Sequence, residues 1–452
     1  MVCYIGGYCA EAETLQNRAE RHQKLDVYDQ AACKFEEAIC VAYTASSRDF
    51  LCDGYDVPWE EMQNCRCLFG ELLQNKAELL LKLWSEQSHG GSLVHSLIGD
   101  YTVQDEGKVF SDAHGLFLAA AAQYRASVHD DHGPAPTGER CSPYGDMRVD
   151  CLVNLGNTFA EHGNVYCQML KGKMVDDVEQ CRQLYVNSLR CYEAALEKEH
   201  DAATWNNCAD MLISQAEFEN DFGTPARDTY EKAIAAYGRA CELSSTENGD
   251  NLPSLLCDWG SGLLSFSEYM KEKNIPGSLQ ILSEAEKRLQ DAISFDRGST
   301  APHTALGDVY ISIGEIYFDE GRLEDAWKYT EKAMNDGYGM ALKIQRNHAD
   351  ALVGSAEALV QKAKISGVQG APFLKQAIAL YQEAFQTGKF SGTLREKGDA
   401  LYNVACCLVG TGVPEAIQEA RVILDQLVAR NIISYADIMS DDDLAPIHDM
   451  KE

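Results

Sequence analysis

The side chains best suited to chemistry in this 452-residue chain are scattered, with few assembled into a pattern. His129, Asp130, Asp131 and His132 form the densest ligand cluster, and imidazoles with carboxylates could hold a cation. That cluster runs into Gly133-Pro134, so it reads as a solvated turn. Cys65 and Cys67 are separated by one residue, with no second pair at zinc-finger spacing. The run Asp441-Asp442-Asp443 lacks the alternating ligand spacing of a calcium loop. Gly260-Ser261-Gly262 resembles half of a dinucleotide fingerprint, but it falls within a helical stripe and reads as packing. No HExxH, nucleophile elbow or phosphate-cradling loop after a strand is present, and the eleven histidines are dispersed. His303 and His348 are expected on first-helix faces as ordinary polar residues. The chain is therefore read as a non-enzyme with no cofactor.

The elements around these residues are helical. Almost no segment alternates with period two, whereas apolar residues recur at i, i+3, i+4 and i+7 along most of the chain. Tyr310, Ile313 and Tyr317 make one buried stripe, with Gly314 small where two helices would cross; Gly321 ends that helix. Leu323, Ala326, Thr330 and Ala333 then make the inward stripe of a second helix.

These nine positions resemble the tetratricopeptide signature, and looser copies run from about residue 148 to 430. Leu152, Leu155, Gly156, Phe159 and Gly163 are answered by Ser188, Tyr192 and Ala195; Trp205, Cys208, Ala209 and Leu212 by Ala233, Tyr237 and Ala240. Leu256, Trp259, Gly260 and Leu263 are answered by Ala285, Leu289 and Ala292. A further unit pairs a helix over 349–359 with Ala377, Tyr381 and Ala384, and a last one pairs Leu401, Val404, Ala405, Leu408 and Gly412 with Ala420, Leu424 and Leu427. The resemblance implies an all-α, right-handed superhelical solenoid of antiparallel helix pairs. The crossing residues Gly156, Ala209, Gly260 and Gly314 are 53, 51 and 54 apart, well above the family's 34, so longer helices or inserted loops are expected.

Three regions follow: divergent N-terminal helical repeats with long loops over 1–147, a core solenoid over 148–340, and C-terminal repeats with an acidic cap over 341–452. In the first, Leu15 and Ala19 pair with Ala31, Phe35 and Ala38, and the helix from Met62 to Trp84 pairs with the one carrying Ala120, Tyr124 and Ser127. Segments 88–112 and 130–146 read as loops or lids. In the closing SYADIMSDDDLAPIHD, Ser440 or Asp441 is expected as an N-cap, with Leu444, Pro446 and Ile447 packing over the last helix.

Seventeen cysteines spread over helical positions point to a reducing compartment without a disulfide framework. The opening MVCYIGGYCA lacks the basic flank of a targeting peptide, and no apolar run approaches the roughly 20 residues of a membrane span, so a cytoplasmic (alternatively nuclear) protein is expected. Seventy acidic against 39 basic side chains, a net −31, disfavour nucleic acid, which requires clustered Lys and Arg. Residues 341–400 depart from this, with 8 basic and 5 acidic groups.

In the family the inner face is lined by first-helix positions adjoining the stripe. Those positions here hold Asn154, Asn157, Asn206, Asn207, Asp210, Asp258, Ser261, Ser312 and Glu315. Asparagine offers a donor and an acceptor to an extended backbone, and the carboxylates favour a basic partner. Cochaperones of the family use Lys and Arg there to hold a carboxylate, which this set cannot do. The sequence thus predicts an adaptor, assembly factor or chaperone-like scaffold that takes a basic or extended protein segment. The alternative is a constitutive subunit that binds through its convex or end surfaces.

Overall fold

The computed structural model describes residues 12, 14–16, 18, 24–46, 59–85, 103–126, 148–246, 251–387 and 394–448. These are helical almost throughout, with no strand among them. In chain order the helices are α1 (Leu25–Ser46), α2 (Trp59–Ser85), α3 (Val103–Ala126), α4 (Val149–Lys171), α5 (Val178–Lys198), α6 (Ala202–Asp221), α7 (Arg227–Thr246), α8 (Leu252–Glu272), α9 (Ser278–Phe295), α10 (Ala301–Asp319), α11 (Leu323–Lys332), α12 (Tyr338–Ile344), α13 (Ala349–Ser366), α14 (Ala371–Gln386), α15 (Leu394–Gly410), α16 (Pro414–Ala429), α17 (Tyr435–Ser440) and α18 (Ala445–His448). The chain divides into two compact units, Met1–Leu83 with Gly107–Phe218, and Trp84–Glu106 with Glu219–Glu452.

Unit 1 is built on glycines that seat tyrosine rings. A Cβ on Gly70 of α2 would lie 3.0 Å from the Tyr124 ring of α3, and one on Gly156 of α4 would lie 2.7 Å from Tyr192 of α5. Only glycine lets each helix pair close around its ring. The expected α2–α3 pairing is thus observed, with Ala77, Phe110, Ala113 and Phe117 forming its core beside Val165 and Met169 of α4. Ala31 and Phe35 of α1 are buried, the latter stacked on Phe69 with ring centroids 5.8 Å apart. Ala19, Ser127, residues 130–146, the His129–His132 cluster and the opening ten residues lie outside the described residues, as do residues 88–102 and the side chain of Ala38. Residues 103–112, expected as part of a loop, instead form the first turns of α3, whose apolar positions Phe110 and Ala113 continue the stripe of Phe117 and Ala120.

One pair of thiols departs from the expectation of free cysteines. Cys67 of α2 and Cys151 of α4 are joined as a disulfide, with Cα atoms 6.2 Å apart across a sequence separation of 84. Their spacing carries no signal, because helix packing alone makes them neighbours.

Unit 2 stacks the pairs α8–α9, α10–α11, α13–α14 and α15–α16 around two core clusters. First helices of 17 to 21 residues account for part of the long repeat period. Gly321, at φ 75°, ends α10 as expected: its N–H and that of Arg322 return to the carbonyls of Phe318 (2.9 Å) and Tyr317 (2.8 Å).

Here the structure corrects the sequence in register. Leu323 is 47% exposed and contributes little to the inward stripe, because it sits at the first position of α11, before the helix face has turned toward the core. Gly314 is tight against Gln361 of α13, at 3.0 Å from a Cβ. The crossing glycine of α10 is Gly307, where a Cβ would meet the Tyr338 ring at 2.5 Å, and Gly354 of α13 packs on the same ring at 2.3 Å. A π-helical turn at Ala333–Gly337 lengthens the second helix and delivers Tyr338 to that seat. Gly260 and Gly307 are therefore 47 residues apart, where Gly260 and Gly314 implied 54.

His348 caps α13 instead of lying on its face, its Nδ1 accepting the Ala351 N–H at 3.3 Å. His303 is buried in the first turn of α10. At the C-terminus Leu444 is buried in the last core cluster with Ile447 against it, whereas Pro446 is exposed. Ser434 opens α17 with a reciprocal capping box to Asp437, and Asp441 caps the 3-10 turn that follows by accepting from the Asp443 N–H at 2.9 Å. Asp441 also accepts from the Tyr402 hydroxyl at 2.7 Å, which ties the closing segment to α15.

Candidate functional site

The site in unit 1 begins with the glycine-seated tyrosines. Tyr192 is buried with its hydroxyl reaching the outer edge of the crossing, where it donates to Asn157 Oδ1 at 2.6 Å. Tyr185 of the same helix donates to Asn164 Oδ1 at 3.0 Å. Each rigid ring thereby fixes which end of the neighbouring amide is the acceptor. Asn207 Nδ2 of α6 donates to the same Asn157 oxygen at 3.2 Å, linking α4 to α6. On α2, Gln74 donates to Glu78 at 2.8 Å and accepts from the Thr158 hydroxyl of α4 at 2.7 Å.

Together these residues wall a hollow of about 380 Å³, lined by Gln74 and Glu78 from α2, Asn157, Glu161 and Asn164 from α4, and Asn207, Asp210 and Ser214 from α6, over a floor that includes Ala160, Tyr192 and Met211. No Lys or Arg is among its lining residues. Burial pushes the Glu161 carboxyl up to about 6, and the charges of Glu78 and Asp210 push the same way against one hydrogen bond from Asn164. Glu78 is also raised by the protein around it, although its side chain still reaches solvent.

Of the residues expected from sequence, Asn157, Asn207 and Asp210 meet in this hollow. Asn206 lies beside it and donates to Asp210 at 3.1 Å. Asn154 is half-buried outside the lining, its carbonyl accepting from Thr158 at 2.8 Å. Gln74, Glu78, Glu161, Asn164 and Ser214 were not anticipated. The signal for three of them was present, since Glu161 and Asn164 follow Asn157 by four and seven residues and Ser214 follows Asp210 by four, along the same helix faces.

The remaining expected residues belong to unit 2. Asp258 is half-buried and Ser261 exposed on α8. Ser312 and Glu315 of α10 line a second hollow, of about 340 Å³, with Ser267, Glu268, Lys271, Glu272 and Ile316. Lys271 Nζ of α8 enters it, 2.9 Å from Glu315 and 3.7 Å from Asp319. The position of α10 that matches Asn157 is Asp308, because it follows the crossing glycine and accepts from the Tyr338 hydroxyl at 2.6 Å. Burial drives Asp308 up to about 6, with Asp350 adding to the rise. On α13 the surrounding protein, then Asp308 and Glu315, move the Glu357 carboxyl up to about 7.

The dispersed histidines include one pair that the fold brings together. His162 Nε2 of α4 lies 2.6 Å from His114 Nδ1 of α3, and burial followed by the His114 charge pushes His162 down to about 3. Among the described residues no group of three or more His, Cys, Asp and Glu is placed to hold a metal ion, and no helix is long and apolar enough to cross a membrane.

No protein-family model matches the sequence, and no curated protein does. Among solved structures, similar folds include the hypoxic regulator of sterol synthesis Nro1, a nuclear import adaptor (13% identity, 74% of this chain and 97% of that one, TM-score 0.39). Another is Acl4, the assembly chaperone of RpL4 (10% identity, 71% and 98%, TM-score 0.37). A third is the human IFIT1 dimer with PPP-AAAA (12% identity, 95% and 95%, TM-score 0.31). The described residues are helical, with successive helices packed as neighbouring pairs. At these values the likenesses concern the helical fold alone.

Proposed function

We propose that the protein is a non-catalytic interaction scaffold, an adaptor or assembly factor, that holds a basic or extended segment of a protein partner against the polar faces of its first helices. The observation that carries this reading is the composition of the unit 1 hollow: carboxylates and tyrosine-oriented asparagines from three helices, with no basic side chain among them. Asn157 has its oxygen committed to Tyr192 and Asn207, which leaves its amide N–H groups to face a partner's carbonyl. The net charge of −31 would speed encounter with a basic partner and make the association salt-dependent.

A second reading, a constitutive subunit docking through its end, is favoured by Val422, Tyr435 and Met439, which are exposed on α16 and α17. Affinity capture at low and high salt, comparing wild type with Glu161→Lys combined with Asp210→Lys, separates the two. Basic partners lost both in high salt and in the double variant support the scaffold. Partners retained under every condition sink it and favour the end-docking subunit.

A further inference from the structure

Cys67 and Cys151 are the one bonded pair among the described cysteines, and ten others are free thiols. The bond stands at the start of a parallel ladder between α2 and α4. Seven residues on from each cysteine, the Thr158 hydroxyl donates to Gln74 Oε1 at 2.7 Å within the core. Seven further on, Leu81 packs against the apolar cluster that holds Val165. A seven-residue step returns to nearly the same helix face, so the three rungs lie along one seam. Only the first rung is covalent, and it pins an end that local structure holds weakly. Cys151 is the third residue of α4, the N-cap Arg148 makes no side-chain cap, and the Cys151 N–H is met only by the adjoining Asp150 carboxylate at 2.9 Å. We propose that the Cys67–Cys151 disulfide is a reversible redox latch: oxidised, it fastens the leading turns of α4 to α2, and reduced, it frees them while the two lower rungs stay closed. The latch goes beyond the scaffold reading and needs no partner.

Access decides how the bond opens. Cys67 is half-buried and keeps contact with solvent, whereas Cys151 is buried. A small thiolate such as glutathione therefore attacks the Cys67 sulfur; the S–S bond breaks, and its electron pair, with a proton, is left on Cys151. A second glutathione thiolate attacks the glutathione sulfur of the mixed disulfide, which releases Cys67 as a thiol and carries off glutathione disulfide. Two electrons thus pass to the protein, and glutathione disulfide runs the same steps backwards. Exchange does not spread through the core, because the thiols there are sheltered and held protonated. Cys181 is fully buried, and its hydrogen bond with Cys167, followed by burial, pushes its thiol up. Burial pushes Cys208 and Cys407 up to about 12.

The test equilibrates the full-length protein in reduced or in oxidised glutathione without denaturant, labels free thiols with N-ethylmaleimide, maps them by mass spectrometry and reads hydrogen exchange on the same samples. Reduced glutathione is expected to open Cys67 and Cys151 to the label together, and oxidised glutathione to restore the bond. Cys181 and Cys208 should stay unlabelled in both buffers, while the exposed Cys33 shows that the label was active in reduced glutathione. On reduction, exchange should quicken about tenfold or more over residues 153–157 of α4 and stay unchanged in α5. Cys67→Ser should show the reduced pattern of exchange in both buffers; should that variant fail to fold, the reduced wild type carries the same comparison. A bond that opens only in denaturant, or that oxidised glutathione does not restore, overturns the latch. So does exchange that is alike in the two buffers, or that quickens throughout unit 1, since the bond would then be idle or a plain structural brace.

Discussion

The hollow of unit 1 and the hollow of unit 2 are both lined by polar faces of first helices, yet one is closed by its own lysine and the other is not. Lys271 satisfies Glu315 and Asp319 in a solvent-exposed pair, and the neighbouring Glu272 takes hydrogen bonds from Asn220 and Lys273. In unit 1 Glu78 and Asp210 accept from the amides of Gln74 and Asn206, no Lys or Arg is among the lining residues, and burial raises the Glu161 carboxyl. The two acidic faces thus differ in whether a lysine stands among their lining residues. The two units also differ in how they are fastened: unit 1 has a disulfide between α2 and α4, and unit 2 has a tyrosine held between two glycines.

The sharpest way to break this comparison is at Tyr338. Replacing it by Ala empties the space between Gly307 and Gly354 and should destabilise unit 2 by about 3–5 kcal/mol. Hydrogen exchange should show protection lost in α10 to α13 and retained in α4 and α5. Next, Cys67→Ser opens a loop of 84 residues' separation and should cost unit 1 about 2–4 kcal/mol, with unit 2 unchanged in the same measurement.

The third test is electrostatic. Because the folded-state value of Glu161 is raised from 4.5 to about 6, its favourable contribution is present below pH 4.5 and is lost as pH rises through 6. Glu161→Gln should therefore stabilise unit 1 by at most about 2 kcal/mol at pH 7.5 and by nothing at pH 4.5, in denaturant melts at both pH values. The smallest effect is expected at Lys271→Met. It should shift stability by no more than about 0.5 kcal/mol, since the pair is exposed.

Sequence alone determined the helices, their pairing and which face of each first helix is polar, because all three follow from the 3.6-residue period and from local chain chemistry. That Asn157, Asn207 and Asp210 share one polar face was legible for that reason. Height along a face was not legible. Gly314 and Gly307 are seven residues apart, about two turns, so both occupy nearly the same face and either fits the apolar stripe. Only the π-helical turn that carries Tyr338 to Gly307 decides between them, and with them between Glu315 and Asp308. The tertiary structure likewise decided that Glu78, far away in the chain, joins Glu161, that Cys67 meets Cys151, and that Lys271 neutralises one hollow and not the other. Each is a contact between side chains on different helices, and its sequence separation is set by helix and loop lengths that the repeat period does not constrain.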